Sequence, residues 1–127
     1  MKYQGGCHCG AVRFEIEAPE ELEVEDCNCS ICSKSGYLHL ILPLSKFKLL
    51  CGEENIHSYT FNSGIARHTF CSTCGIKPFY TPRSNPDGID VNVRCLDAKP
   101  ESMKLVKFDG RQWEQNAGKL AHKSRDN

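Results

Sequence analysis

Apolar and polar residues alternate along most of this chain, and the alternation has the period of β-strands. In "AVRFEIEA", Val12, Phe14 and Ile16 fall on one side and Arg13, Glu15 and Glu17 on the other, and Pro19 ends the run. "ELEVED" alternates again through Leu22 and Val24, and "YLHLILP" puts Leu38, Leu40 and Leu42 on one face before Pro43. Further short strands are expected at "FKLLCG", "IHSYTFN", "ARHTF", "IKPFYT" and "IDVNVRCL", with a turn at "NSG" and a dense turn signal in "PRSNPDG". Only "DGRQWEQNAGKL" reads as a helix, short and C-terminal, with Trp113 as its anchor. Beyond Leu120 the composition turns polar, and about 121–127 are expected to be a disordered tail. Many short strands separated by turns predict one compact, multi-stranded all-β domain over residues 1–127.

Charge adds exclusions. Sixteen Lys and Arg balance sixteen Asp and Glu, so nothing in the net charge favours nucleic acid or a membrane surface. Residues 1–30 are acidic (Glu15, Glu17, Glu20, Glu21, Glu23, Glu25 and Asp26) and the segment from Lys99 onward is basic; both are read as solvated faces. "MKYQGGCHCG" lacks the apolar segment of a signal peptide, and "YLHLILPL" is too short and broken to span a membrane. A soluble, cytoplasmic protein is the expectation.

That compartment changes the meaning of nine cysteines, because clustered cysteines in a reducing environment bind metal more often than they pair. Seven fall into three groups: Cys7 and Cys9 in "CHC", Cys27, Cys29 and Cys32 in "CNCSIC", and Cys71 and Cys74 in "CSTCG". C-x-C in extended chain aims both sulfurs to one side, and C-x-x-C does so through a tight turn that Gly75 helps to close. Cys7, Cys9, Cys71 and Cys74 therefore make a complete four-thiolate zinc set, although mixing with the middle group, or an iron–sulfur cluster, stays open. Cys27, Cys29 and Cys32 are then one ligand short. Either His39, Cys51 or Cys95 folds back as the fourth ligand, or the vacancy is functional. Three sulfurs blunt zinc as an activator of water and suit it to receiving a thiol.

"GGCHCGAVRFE", "CNCSICSKSG" and "FCSTCGIKPFY" resemble, in order and glycine context, the glutathione-dependent formaldehyde-activating enzyme family, from about Lys2 to Trp113. Within it the likeness is strongest to the centromere protein V branch, through "FKLLCGEENIHSYTFN", "HTFC", "FYTPRSNPDG", "RCLD" and "FDGRQWE". The resemblance implies a zinc-binding fold similar to the β-tent. It also implies two zincs per chain: a structural one on Cys7, Cys9, Cys71 and Cys74, and a catalytic one on Cys27, Cys29 and Cys32. By the same resemblance, glutathione would take the fourth place and attack formaldehyde, a carbon–sulfur lyase-type reaction giving S-hydroxymethylglutathione. Two departures are that many family enzymes carry Cys-His-Cys where Asn28 stands here, and arginine where Ser33 stands. The alternative is a non-catalytic, zinc-stabilised interaction module similar to centromere protein V. That branch's chromatin and microtubule roles go with a longer N-terminal region, for which the first motif, beginning at Gly5, is expected to leave no room.

Outside the motifs, Cys51 and Cys95 are expected to be buried, Lys34 and Arg83 to face solvent, His68 to be a strand residue and Trp113 to be a packing anchor.

Overall fold

A computed structural model describes residues 1–61 and 63–125. Asn62 of the expected "NSG" turn, and Asp126 and Asn127 of the expected tail, lie outside the described residues. Among the described residues ten strands carry the fold: β1 (Lys2–Gly6), β2 (Arg13–Glu17), β3 (Glu21–Cys27), β4 (Leu38–Pro43), β5 (Phe47–Cys51), β6 (Ile56–Tyr59), β7 (His68–Cys71), β8 (Phe79–Tyr80), β9 (Gly88–Asn92) and β10 (Ser102–Phe108). Two short α-helices, α1 (Ser30–Ser35) and α2 (Trp113–Asn116), and several 3-10 turns complete it. The chain is all-β, as its alternation predicts.

The strands form three sheets: β1-β2-β5, β10-β3-β4-β9-β8, and the hairpin β6-β7. The main core lies where the first two sheets face each other, with Val12, Phe14 and Ile16 packed with Leu22, Val24, Leu40, Leu42 and Val91. Phe14 stacks on Phe47 at 5.7 Å, with Phe79 edge-on at 6.0 Å. These are the alternating positions of the sequence, now facing one another.

β4 is central in the five-stranded sheet, and it departs from simple alternation. His39 and Ile41, on the face opposite Leu40 and Leu42, are also buried. Ile41 belongs to a second, smaller core with Cys27, Cys32, Phe108 and Leu120, against which Trp113 and Ile31 pack. A sheet covered on both faces buries both sets of side chains of its central strand. The cover comes from the C-terminal segment. Within the stretch read as a tail, Ala121–Ser124 form a 3-10 turn. Asn85, fully buried, donates from Nδ2 to the Leu120 carbonyl and to Ser124 Oγ, each at 2.9 Å, and Ser124 Oγ donates to Asp87 at 2.6 Å.

Two elements were not expected from the pattern. β10 pairs in parallel with β3, from Ser102 opposite Glu21 to Phe108 opposite Cys27. α1 interrupts the three-cysteine segment: Cys29 caps it, its Sγ accepting from the Cys32 N–H at 3.4 Å. Gly36 ends it at φ +67°, a left-handed position that favours glycine, and returns its N–H to the Cys32 carbonyl.

Candidate metal centre and cleft

Among the described residues, two groups of side chains could hold metal ions. In the first, the sulfurs of Cys7, Cys9, Cys71 and Cys74 all lie within 4.8 Å of one another. Cys7 and Cys9 follow β1, Cys71 ends β7, and Cys74 lies on the turn that follows. That turn is closed by the Gly75 N–H on the Cys71 carbonyl (2.8 Å), with Gly75 at φ +78°. The Cys7–Cys9 and Cys9–Cys71 sulfur separations are both 3.7 Å, and none of the four is in a disulfide. Zinc–sulfur bonds of about 2.3 Å in a tetrahedron put sulfurs about 3.8 Å apart, so the donor set fits such an ion.

The second group is Cys27, Cys32 and His39, whose ligand atoms again lie within 4.8 Å of one another. Of the three expected fourth ligands, His39 is the one brought here. Its Nε2 is 3.1 Å from Cys32 Sγ, and its Nδ1 is 2.6 Å from Asp90 Oδ2 on the adjacent β9. With a carboxylate oxygen as the partner of Nδ1, a neutral ring would present its Nε2 lone pair to the sulfurs. This is the carboxylate–histidine arrangement that orients metal-ligating imidazoles. Cys29 is not part of this 4.8 Å group and stands at the head of α1. Donation from Cys27, then from Cys32, lowers its thiol to about 2, and Cys27, donating to Cys29, is pushed up to about 11.

These sulfurs stand in the wall of a cleft of about 400 Å³. Its lining includes the buried His39, Asp90 and Glu25 and the more exposed Arg83, Arg111 and Trp113. Glu25 corrects the reading of residues 1–30 as a solvated acidic face, because it is buried and paired with Lys123. Burial raises its carboxyl above the usual value, the Lys123 contact working against this. Glu25 Oε2 and Asp90 Oδ1 are both buried without a partner among the described residues. Lys77 Nζ lies 3.8 Å from the Tyr80 ring centre and 2.6 Å from His68 Nδ1.

The segment after β10 presses against the cluster. A Cβ on Gly110 would sit 2.4 Å from Cys27 Sγ and 2.8 Å from Cys29 Cβ, so only glycine fits without movement. Asn28 ties this segment down: its Oδ1 accepts the Arg111 N–H and its Nδ2 donates to Asp109, each at 3.1 Å. The residue between Cys27 and Cys29 thus has a structural task of its own.

Several residues stand elsewhere than expected. Cys51 is exposed at the end of β5, where a weak contact to the Ala11 carbonyl at 3.7 Å engages it, and Cys95 is only partly buried. Arg83 does not simply face solvent: its guanidinium stacks on Trp113 at 3.8 Å and pairs with Glu114 at 2.8 Å. Trp113 is therefore part of the cleft wall as well as a packing residue. Lys34 is exposed and lies outside the cleft lining, and His68 sits in β7, buried, as a strand residue should. No described helix is long and apolar enough to cross a membrane.

Comparison with known proteins places this geometry in context. A protein-family model described as "Glutathione-dependent formaldehyde-activating enzyme" matches residues 2–115. A Halomonas elongata protein named "Putative glutathione-dependent formaldehyde-activating enzyme" is 35% identical over 126 residues, spanning 89% of this chain and 80% of the relative. A crystal structure of a Rhodobacter sphaeroides protein superposes with a TM-score of 0.68 at 35% identity, covering 81% of this chain and 99% of the other.

Proposed function

Because the chain belongs to the glutathione-dependent formaldehyde-activating enzyme family, we propose that it joins a small thiol, with glutathione as the type, to formaldehyde or a related carbonyl. In this carbon–sulfur lyase-type reaction the thiol sulfur bonds the carbonyl carbon, the C=O π pair moves to oxygen, and the thiol proton ends on that oxygen. Cys27, Cys29 and Cys32 would hold a zinc ion, which when bound supplies a centre that favours thiolate over thiol. Cys7, Cys9, Cys71 and Cys74 would hold a second zinc as a cross-link between the first strand and the middle of the chain. Asp90 orients His39, and the cleft gives a thiol a path to the sulfurs. The observation that carries the reading is that the three-cysteine segment opens onto a cleft large enough for a small peptide, with two arginines, Arg83 and Arg111, in its lining.

His39 favours a second reading, in which its Nε2 completes a closed three-sulfur, one-nitrogen site and the domain is a non-catalytic interaction module of the centromere protein V kind. X-ray absorption at the metal edge separates the two. The enzyme reading expects the second site to become all-sulfur when glutathione is added; a site that keeps three sulfurs and one nitrogen in saturating glutathione overturns it. In parallel, Cys29→Ser is expected to stay folded and lose glutathione binding, whereas Cys71→Ser unfolds the domain. Equal unfolding of both variants would count against an open site.

A further inference from the structure

We propose that Arg83 and Arg111 recognise carboxylates, so that the cleft selects thiols bearing carboxylate groups over neutral thiols of the same size. This rests on the thiol-binding reading above and gives it a specificity. Both arginines line the cleft that contains Cys27, Cys29 and Cys32.

Arg111 is held close to the sulfurs by its backbone. Gly110, the residue before it, packs directly on Cys27 Sγ, and the Arg111 N–H is bound by Asn28. Its guanidinium has no ion pair among the described residues. A cation anchored at its Cα and unpaired at its tip is free to meet an incoming anion. Arg83 is prepared differently. The Trp113 ring beneath it fixes the plane of its guanidinium, and Glu114 takes one edge through Nη2. The Glu114 side chain is 77% exposed, so this pair is a weak, solvent-screened one. The remaining N–H donors keep the planar fork that suits a carboxylate. The acids of the cleft do not compete for these arginines, because Glu25 pairs with Lys123 and Asp90 with His39. A peptide thiol seated with its sulfur at the cysteines would carry its carboxylates outward, toward the more exposed part of the lining to which both arginines belong.

The test uses the metal-loaded full chain with two probes: glutathione, and its diethyl ester, in which both carboxylates are capped while the thiol is unchanged. Dissociation constants come from calorimetry, and thiol ligation is read in parallel by X-ray absorption. The wild type should bind glutathione at least about tenfold more tightly than the ester, as expected for a charge-assisted hydrogen bond at a partly exposed site. Arg111→Met and Arg83→Met should each lose about tenfold for glutathione and less than about twofold for the ester. Arg111→Lys should recover part of the loss, since charge returns without the fork. Arg111 is exposed and Arg83 half-buried, and thermal melting checks that both variants keep the fold. Equal affinity of the wild type for both probes, or equal weakening of both by the arginine variants, overturns the selectivity while leaving thiol binding standing. If neither probe reaches the metal of the wild type, the thiol reading fails and takes the selectivity with it.

Discussion

Replacing Gly110 by alanine tests whether the segment after β10 supports the three-cysteine cluster. The new Cβ would lie 2.4 Å from Cys27 Sγ, 2.8 Å from Cys29 Cβ and 3.2 Å from the Cys29 nitrogen. All three neighbours belong to the short stretch of residues 27–29, so relief requires either that stretch or the Gly110 segment to move. Gly110 is not among the glycines at positive φ, so the cost is steric and involves no backbone strain. Overpacking of this kind costs about 1–3 kcal/mol. Loss of unfolded-chain freedom on going from glycine to alanine offsets about 0.4–1 kcal/mol of it. A net loss of roughly 1–2 kcal/mol remains, which at this chain length lowers Tm by roughly 5 °C. The damage should be local. Thermal melting of the metal-loaded protein should show the shift, and metal analysis should show weaker retention at the second cluster with the first unchanged. Gly118→Ala is the control, because a Cβ there meets nothing within 4 Å. A Gly110→Ala protein that melts with the wild type and retains its metal at both clusters equally would refute the argument.

Two further outcomes are expected. Asn85→Ala removes the donor that holds the Leu120 carbonyl and Ser124, at a cost of about 2 kcal/mol for buried groups left unpaired. Amide exchange should then accelerate over Leu120–Arg125 and stay slow in β1 and β2, whereas uniform acceleration would deny the local role. Burial, reinforced by Lys77, lowers His68 to about 4. A depressed folded value means that the stability is held above the unfolded pKa, about 6.5, and is lost as pH falls through about 4. Denaturation should show a loss of roughly 2 kcal/mol across that window, discounted because the ring borders the cleft. In His68→Gln the slope should be shallower, and an unchanged slope would assign the titration to another group.

What the sequence disclosed and what it withheld divide along physical lines. Strands such as β2 and β3, buried on one face, announce themselves by alternation, and the three cysteine groups are visible from spacing alone. β10 was hidden because Met103 and Leu105 are exposed on it and its partner, β3, lies some eighty residues earlier; no local pattern encodes a parallel pairing. α1 was hidden because its cap is a cysteine sulfur, where Ser, Thr, Asp or Asn would have been a recognisable signal. His39 could be named as one of three candidates, but the choice among them depended on β4 being covered on both faces. Arg83 and Trp113 were each read singly, and their stacking across thirty residues of chain is a tertiary fact.

The parallel pairing of β10 with β3 sets an order of assembly as the chain leaves the ribosome. The first cysteine set is complete once Cys74 has been made. The three-cysteine segment, made earlier still, has no wall until Phe108 takes its place beside Cys27 and Gly110 closes on the sulfurs. Between those two moments the nascent chain carries three unshielded thiols on a half-built sheet. A cell making this protein therefore has an interval, fixed by translation, in which oxidation or capture of the wrong metal competes with completion of the cleft.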